Sequence, residues 1–324
     1  MPRAISIDTI RDAARTVYDA AIRTPLVPLG AVTPGGPEVF LKLEMLQPIG
    51  SFKIRGAYNA VRRLSPAQLA EGVWTVSAGN AAQGVALAAR KAGARCSVMV
   101  MDTAPEAKLG AIGRLGATIV KASYDECWET VEAHGSARMR GCFVHPFDDD
   151  DFISGNGTAG LEIVEDLPDV DAVVAAVGGG GLLAGVGVAL RALRPEARIY
   201  AAEPETAAPL KRSLENGRAS RFDEWQPSFV DGAGGKSVLN TMWPLLRDHV
   251  HESIVVSLDE AARAMRLVAE RARVIAEGAG ACAVAAAVSP AMSARGHRKV
   301  VAIVSGGNVD LVTFARLVGA CPNA

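Results

Sequence analysis

The chain has 324 residues, of which 49% are hydrophobic and 21% charged, and its formal net charge is −1. This length and apolar content suffice for two hydrophobic cores, and the absence of a basic block argues against nucleic acid as a partner. No apolar run reaches the roughly 18 residues of a membrane span, and the polar N-terminus shows no signal peptide. Five scattered cysteines without a Cys-x-x-Cys pair are typical of reduced thiols. We therefore expect a soluble, cytoplasmic α/β protein.

The first half of the chain alternates between helical and strand patterns. An amphipathic helix and a short strand precede a helix that begins near Lys53, and three strand–helix repeats and a closing strand follow. The segments predicted here are helix 6–21, strand 39–43, strand 73–76, helix 80–91, strand 96–101, helix 106–115, strand 118–120, helix 125–137 and strand 142–145. The acidic run 148–151 reads as a crossing between two parts of the chain, or as a solvated turn.

The second half repeats the alternation. The segments predicted here are strand 171–177, helix 182–193, strand 198–202, a long irregular stretch, strand 253–256, helices 259–273 and 279–287, and strand 299–304. Such alternation predicts parallel sheets that are covered by helices on both faces. We predict two α/β parts: a large domain of residues 1–66 and 146–324, and a small mobile domain of residues 67–145.

Lys53 occupies an unusual position for a lysine. A Pro-Ile-Gly turn precedes Ser51, which is a good N-cap, so Lys53 falls in the first turn of a helix. The helix dipole disfavours a second cation there. Held beside Phe52, the amine is shifted toward the neutral form that Schiff-base chemistry needs. Taken alone, the Ser-Phe-Lys sequence is equally compatible with a surface lysine at a helix start.

Four consecutive glycines join the strand 171–177 to the next helix. Their backbone N–H groups can close around a phosphate, and the dipole of the following helix assists. Because no Gly-Lys-Ser/Thr follows, the segment is not a P-loop. The alternative is a tight strand-to-helix turn, for which four glycines carry a large entropic cost.

Two further polar segments follow predicted strands, which is where ligands bind in folds of this kind. Ser77 opens Ser-Ala-Gly-Asn, which can receive a carboxylate on exposed N–H groups or simply cap a helix. Ser305 opens Ser-Gly-Gly-Asn, and its hydroxyl can meet a neutral ring nitrogen without protonating it. Glu277, in Glu-Gly-Ala-Gly, is the weakest candidate because a glutamate there more often caps a helix than binds a ligand.

In order and spacing, these motifs resemble those of the fold type II pyridoxal-phosphate enzymes. The nearest resemblance is to the threonine/serine dehydratase and serine racemase group, and it covers essentially the whole chain. It implies a two-lobed α/β fold like that of the tryptophan synthase β subunit, with parallel sheets flanked by helices in each lobe. It also implies pyridoxal 5′-phosphate as the cofactor.

The resemblance implies a role for each motif. Lys53 would form the covalent link to the cofactor and then remove the substrate α-proton. The residues implied around the cofactor are Phe52, Lys53, Asn80, Gly178, Gly179, Gly180, Gly181, Leu182, Glu277 and Ser305. The residues implied around the amino-acid substrate are Ser77, Ala78, Gly79, Asn80, Ala81 and Trp128. A serine at the ring nitrogen does not hold that nitrogen protonated, which favours β-elimination over transamination.

The expected activity is that of an ammonia-lyase, which converts a β-hydroxy-α-amino acid of the threonine or serine type into a 2-oxo acid and ammonia. Ala78 replaces a serine of racemase-type relatives and argues against racemisation. Ala81 replaces a histidine, and Trp128 stands where the racemase branch has an arginine. These changes suggest a bulkier substrate such as β-phenylserine, unless Trp128 is a core residue. A serine racemase and a non-catalytic phosphate- or nucleotide-binding protein remain less favoured alternatives.

A cation site known in some relatives would use Glu203, the carbonyl of Ala207 and a carboxylate where this chain has Pro209. Since proline supplies no carboxylate, a divalent cation near Glu203 is left open and no metal ligand is assigned. The expected partner is a small-molecule amino acid, with neither nucleic acid nor membrane. By resemblance we expect a homodimer or homotetramer.

Overall fold

The computed structural model describes residues 3–321, except for the side chain of residue 107. The strands are β1 (Leu26–Gly30), β2 (Glu38–Lys42), β3 (Val73–Val76), β4 (Cys96–Met101), β5 (Thr118–Ala122), β6 (Cys142–Phe143), β7 (Ala172–Ala176), β8 (Arg198–Pro204), β9 (Glu252–Val256) and β10 (Lys299–Ile303). The helices are α1 (Ile7–Ala14), α2 (Lys53–Arg62), α3 (Pro66–Glu71), α4 (Asn80–Lys91), α5 (Glu106–Arg114), α6 (Tyr124–Glu132), α7 (Asp150–Asp166), α8 (Gly181–Leu193), α9 (Pro209–Asn216), α10 (Trp243–His249), α11 (Leu258–Ala272), α12 (Gly278–Ala287), α13 (Pro290–Ser293) and α14 (Leu311–Gly319).

The strands form two sheets. The large sheet has the order β1-β2-β10-β7-β8-β9, and the small sheet has the order β5-β4-β3-β6. All neighbours are parallel except β1, which pairs antiparallel with β2. The prediction of parallel sheets is therefore wrong at this edge: β1 was missed, and it makes the large sheet mixed. A strand that contains Pro28 has a weak sequence signal, because proline is confined to edge strands.

Helices cover both faces of the large sheet, as the continuous apolar strands predict. In β7, Ala172 and Val174 face a core shared with α11 and α12. Val173 and Ala175 face a second core, to which α7 and α8 contribute. Successive strand residues point to opposite faces, so a strand that is apolar at every position is buried on both sides. A third core fills the small-sheet region.

The predicted division into two domains agrees with the membership of the sheets. Every strand of the small sheet falls within 67–145, and every strand of the large sheet falls outside that range. We use the names small-sheet region for 67–145 and large-sheet region for 3–66 and 146–321. The remainder of the predicted range, residues 1–2 and 322–324, lies outside the described residues. That the two regions are separate domains, and that one is mobile, stays a prediction.

Four helical predictions need correction, one of them the helix predicted over 125–137, which ends at Glu132. The helix predicted over 6–21 ends at Ala14, because the backbone of Thr16 leaves the helical region (φ −132°), and a short 3₁₀ turn follows. Ser51 does not cap α2: the N-cap is Phe52, without a side-chain hydrogen bond, and Ser51 instead forms a bridge with Gly306. The stretch predicted as irregular contains α9 and α10.

The acidic run 148–151 follows β6 and extends into the first turn of α7, and it is not a solvated turn. Asp149 is the N-cap of α7 and accepts a hydrogen bond from Phe152 N at 2.8 Å. Asp148 is buried and accepts hydrogen bonds from Arg3 and Thr241. Within residues 3–321, none of the helices is both long and apolar enough to cross a bilayer.

Candidate active site

A cavity of about 400 Å³ lies where the loops that follow β3, β7 and β10 converge. Because β7 and β10 are neighbours, the loops after them meet at one edge of the large sheet, and the loop after β3 approaches from the small-sheet region. The sequence-predicted residues that line the cavity are Phe52, Lys53, Ser77, Ala78, Gly79, Asn80, Ala81, Trp128, Gly178, Gly179, Gly180, Gly181, Leu182, Glu277 and Ser305. All predicted site residues are thus brought together, while their individual roles stay predictions.

Lys53 is the first residue of α2, and its side chain reaches into the cavity. Its Nζ donates a hydrogen bond to the carbonyl oxygen of Pro146 at 2.7 Å. The rings of Phe52 and Phe152 have their centroids 5.2 and 5.4 Å from this nitrogen. Burial of the amine lowers the pKa of Lys53 to about 8, while the carboxylate of Glu277 opposes the shift. The direction agrees with the expectation from the sequence, and its largest cause is desolvation by burial.

The glycine segment after β7 forms a narrow turn that leads into α8. Gly180 is the N-cap of α8 and has φ 90°, a conformation that favours glycine. A side chain at Gly179 would strike the ring of Phe147, and one at Gly181 would lie 2.6 Å from the Phe147 carbonyl oxygen. Backbone N–H groups in the first turn of a helix have no intrahelical acceptor. The segment therefore fits an anionic group such as a phosphate.

A hydrogen-bonded chain of side chains, Asn80, Glu277 and Asn308, also lines the cavity. Asn80 at the start of α4 donates to Glu277 Oε1 at 2.8 Å and accepts from Asn308 Nδ2 at 2.7 Å. Glu277 occupies the N-cap position of α12, as the helix-cap interpretation expects, but its side chain makes no cap hydrogen bond. Burial raises the pKa of Glu277 to about 7, and the charge of Asp231 adds to the shift. Between residues 3 and 321, the Ser305 hydroxyl has no hydrogen-bond partner, although Ser305 itself is buried.

The loop Ser77 to Asn80 offers backbone donors at the start of α4. Ser77 Oγ accepts a hydrogen bond from Gly79 N at 3.1 Å, which shapes the turn. A side chain at Gly79 would meet nothing within 4 Å, so the loop leaves free space beside it. These features fit a carboxylate that accepts N–H groups from a helix start.

The end of the cavity near α6 has an apolar wall. Trp128 lines the cavity there and also packs against the core beneath it. Its Nε1 donates to Glu132 Oε1 at 2.9 Å on the same helix, so the indole carries a satisfied polar group. Other apolar residues that line the cavity and belong to the same core as Trp128 are Met101, Val131, Val238 and Leu239. The two predicted roles of Trp128, pocket wall and core residue, therefore hold together.

Several cavity residues were missed by the sequence analysis. Pro146 and Phe147 follow the short strand β6, and that position at a strand end was an available signal. Lys108 and Asp231 form an ion pair across the cavity, from α5 to the loop before α10. They are 123 positions apart in the chain, and no local pattern links them.

The residues around Glu203 do not fit a cation. Glu203 is fully buried; its Oε1 accepts Leu210 N at 2.8 Å, and its Oε2 accepts Lys211 N at 2.7 Å and the Ser253 hydroxyl at 2.5 Å. Burial raises the pKa of this carboxyl to about 7. A carboxyl that is bonded at both oxygens and biased toward its neutral form is a poor cation ligand.

Taken together, the fold and the cavity define an α/β protein in which a buried lysine of lowered pKa and a glycine turn at a helix start line one cavity. The lysine, the glycine turn and the free Ser305 hydroxyl are spaced around one cavity, so the residues present fit pyridoxal phosphate. A family model described as "Pyridoxal-phosphate dependent enzyme" matches residues 17–306. The chain belongs to this pyridoxal-phosphate-dependent enzyme family.

Within this family, the chain is similar to ammonia-lyases and serine racemases. The L-threonine ammonia-lyase of Thermotoga maritima is 40% identical over 319 residues, which is 97% of this chain and 78% of that protein. The serine racemase of Dictyostelium discoideum is 34% identical over 322 residues, covering 97% and 98% of the two chains. Maize serine racemase superposes with a TM-score of 0.88 at 33% identity, covering 97% of this chain and 96% of the other. The predicted family and fold class are confirmed.

Proposed function

We propose that the protein is a pyridoxal-phosphate-dependent dehydratase that converts a β-hydroxy-α-amino acid of the threonine or serine type into a 2-oxo acid and ammonia. The observation that carries this proposal is the Lys53 amine, which has a pKa of about 8 and lines the same cavity as the glycine turn. The similarity to an L-threonine ammonia-lyase supports the reaction class.

The bound cofactor supplies an electron sink for the pair of electrons released when the Cα–H bond breaks. Lys53 is the base: its neutral amine takes the α-proton at Nζ, while the Pro146 carbonyl holds one of its N–H bonds. The N–H groups of the loop after β3 hold the substrate carboxylate, which keeps the α-carbon near Lys53. The β-hydroxyl then leaves as water with the proton that Lys53 took from the α-carbon, and the enamine that remains is released and hydrolysed by water to the 2-oxo acid and ammonia.

Two features direct the chemistry toward elimination. Ser305 offers a hydroxyl at the position proposed for the ring nitrogen, and a hydroxyl does not hold that nitrogen protonated. By the resemblance, Ala78 stands where racemase-type relatives carry a serine opposite the lysine, and an alanine offers no proton donor there. We therefore expect D-serine formation from L-serine to be negligible beside pyruvate formation, and chiral chromatography of the products measures the ratio.

The test of the proposed function is release of 2-oxo acid from a panel of amino acids, followed by coupled reduction of the product. L-Threonine and L-serine should yield 2-oxobutyrate and pyruvate together with ammonia in equal amounts. A purified, cofactor-loaded protein that releases neither 2-oxo acid nor ammonia from any β-hydroxy amino acid would overturn the proposal.

A second candidate substrate is a bulkier β-hydroxy amino acid such as β-phenylserine. It is favoured by the apolar wall that includes Trp128 and Met101. Burying a phenyl ring contributes about 1.5–3 kcal/mol, and an aromatic contact adds about 0.5–1.5 kcal/mol. On this proposal, kcat/KM for β-phenylserine equals or exceeds that for threonine, and Trp128→Arg reverses the preference. A wild-type enzyme that turns over threonine but not β-phenylserine would refute the bulkier substrate and leave the proposal of a threonine/serine dehydratase in place.

We also propose a cytoplasmic homodimer or homotetramer. The exposed apolar side chains Leu311 and Val312 on α14 support self-association. The free cysteines support a reducing compartment, and burial raises the pKa of the Cys127 thiol to about 11. Sedimentation equilibrium of the loaded enzyme distinguishes a monomer from either assembly.

A further inference from the structure

One peptide unit, between Pro146 and Phe147, is held at both ends by side chains. Its carbonyl oxygen accepts the hydrogen bond from Lys53 Nζ at 2.7 Å. Its N–H, on Phe147, donates to Nδ1 of His145 at 3.3 Å, and the next N–H, on Asp148, donates to the same nitrogen at 2.7 Å. Because a trans peptide is planar, with its C=O and N–H pointing in opposite directions, fixing the N–H also fixes the direction of the carbonyl.

The His145 ring is itself held by its surroundings. Its Nε2 lies 3.2 Å from the carbonyl oxygen of Val131 at the end of α6, so Nε2 carries the proton and Nδ1 is left as an acceptor. The ring stacks on His134 at 4.5 Å and meets Phe147 edge-on at 4.7 Å. Burial lowers the pKa of His145 to about 4, with a further contribution from His134, while Asp148 opposes the shift. The imidazole is therefore a neutral acceptor of fixed orientation.

A metal site at this place is not supported. His134, His145 and Asp148 bring their ligand atoms within 4.8 Å of one another. Both ring nitrogens of His145 are bonded to the backbone. Both oxygens of Asp148 are also occupied, by Arg3 on one side and by Thr241 and His134 on the other. The cluster is therefore a set of mutually satisfied groups that ties α6 to the segment before α7.

We propose that His145 is a positioning residue for Lys53: it sets the plane of the 146–147 peptide, so that the Pro146 carbonyl holds the lysine amine in its reactive orientation. This rests on the proposed function, in which Lys53 is the group that combines with the cofactor and moves the α-proton. His145 touches neither group and acts only through the peptide.

The chemical consequence follows from the geometry of a neutral amine. When one N–H is donated to Pro146, the lone pair and the second N–H of the amine both point away from that carbonyl, so the lone pair is free to face the cavity that Lys53 lines. If the peptide rotates, the amine loses this restraint, and a misplacement of about 1 Å in a reacting group can cost about 100-fold in rate. A purely structural histidine would lower stability without changing the reactivity of Lys53.

The test uses two substitutions of His145 in the full chain. His145→Leu removes the acceptor for both N–H groups, and His145→Asn retains an oxygen acceptor that bonds the backbone two residues on. The readout is the rate at which the protein, stripped of cofactor, combines with added pyridoxal phosphate, followed by the visible absorbance of the product. We expect His145→Leu to lower this rate by about 100-fold, and His145→Asn to restore it to within about threefold of wild type.

His134→Ala is the matched control. His134 belongs to the same cluster and contacts the His145 ring but does not touch the 146–147 peptide, so its removal should leave the combination rate unchanged. Thermal unfolding of all three variants shows whether each is folded, so that a slow combination rate can be assigned to a misplaced Lys53 amine rather than to loss of the fold. The proposal is overturned if His145→Leu is folded and combines at the wild-type rate, or if His145→Asn is folded and as slow as His145→Leu.

The combination rate does not require turnover, so it also separates this proposal from the proposed function. If His145→Leu combines slowly with pyridoxal phosphate and His145→Asn combines rapidly, the positioning role is supported even if no amino acid is dehydrated. In an enzyme that is active, His145→Leu should also increase the kinetic isotope effect on α-deuterated substrate. An isotope effect that equals that of wild type would contradict the positioning of the base.

Discussion

Lys53 and Glu277 are two ionisable side chains that burial shifts toward their neutral forms. The pKa of Lys53 is lowered to about 8, and that of Glu277 is raised to about 7. Both line the same cavity, and the charge of Glu277 opposes the shift of the Lys53 pKa. A neutral amine beside a weakly acidic carboxyl is suited to proton transfer near neutral pH.

Gly179 should be intolerant of a carboxylate. The substitution Gly179→Asp places a side chain against the Phe147 ring and an anion where a phosphate is proposed to bind. We expect the dissociation constant for pyridoxal phosphate to rise at least about 100-fold, which corresponds to about 2.7 kcal/mol. Fluorescence titration of the cofactor-free protein measures it.

Gly113→Asp is the control for this prediction, because Gly113 lies on α5 and a side chain there meets nothing within 4 Å. It should bind the cofactor as wild type does. Equal cofactor affinity in Gly179→Asp and wild type would mean that the phosphate binds elsewhere.

At the scale of elements, α2 is anchored by a buried network of charges two residues beyond Lys53. Arg55 is fully buried and donates to Glu44 Oε1 at 2.7 Å and to Glu162 Oε1 at 2.6 Å. Lys42 in β2 also contacts Glu162, at 2.6 Å. The network joins α2 to α7 and to the large sheet, so it fixes the start of the helix that carries Lys53.

Arg55→Lys should therefore be strongly destabilising, although it keeps the charge. A lysine cannot bond two carboxylates with the planar fork of arginine, and a buried carboxylate would lose its partner. We expect the free energy of unfolding to fall by about 3 kcal/mol, measured by urea denaturation.

The control, Arg63→Lys, changes a half-exposed arginine that pairs with Asp12 and Asp151. It should cost less than about 1 kcal/mol. If Arg55→Lys costs no more than this control, the buried network does not anchor α2.

Several elements followed from local patterns, and others depended on tertiary packing. β3, β4 and α4 have the predicted bounds because alternating strand–helix units carry strong periodic signals. β1 escaped prediction because Pro28 weakens its strand pattern. Phe147 was missed by the sequence analysis, because its position beside the glycine turn depends on the tertiary structure after β6. The Lys108–Asp231 ion pair depends on how the two sheets are placed, which no short stretch encodes.

At the scale of the whole molecule, the two sheets bring together residues that are far apart in the chain. Asn80 bonds Glu277 and Asn308, which lie 197 and 228 positions away. This chain of amides and a carboxyl links the small-sheet region to the large-sheet region at the cavity. A movement of one region relative to the other would therefore change these hydrogen bonds at the proposed cofactor site.

Buried carboxyls should make the folded state less stable as the pH rises. The folded-state pKa of Glu203 is about 7, above its usual value of 4.5. A raised carboxyl pKa contributes stability that is present below about pH 4.5 and is lost as the pH rises through about 7. Glu277, also raised to about 7, acts in the same direction.

Glu203→Gln should flatten this dependence, since an amide does not titrate. The variant should be less stable at every pH, because its amide nitrogen cannot accept the N–H that the carboxyl accepts. Its unfolding temperature should fall less steeply than that of wild type as the pH rises from 4.5 to about 7, the window between the usual and the folded-state pKa of Glu203. Calorimetry at several pH values measures the slope. Glu196→Gln, at an exposed site, is the control and should retain the wild-type slope. An unchanged slope in Glu203→Gln would contradict the raised pKa of this carboxyl.

The most direct test of the central claim is to identify which side chain carries the cofactor. The loaded enzyme is reduced with borohydride, digested and mapped by mass spectrometry, and Lys53→Ala is assayed in parallel for 2-oxo acid release. We expect the label on Lys53 alone, and a folded Lys53→Ala protein that releases less than a few per cent of the wild-type product, because one amine both links the cofactor and moves the proton. A label on another lysine, or substantial turnover by Lys53→Ala, would contradict the account.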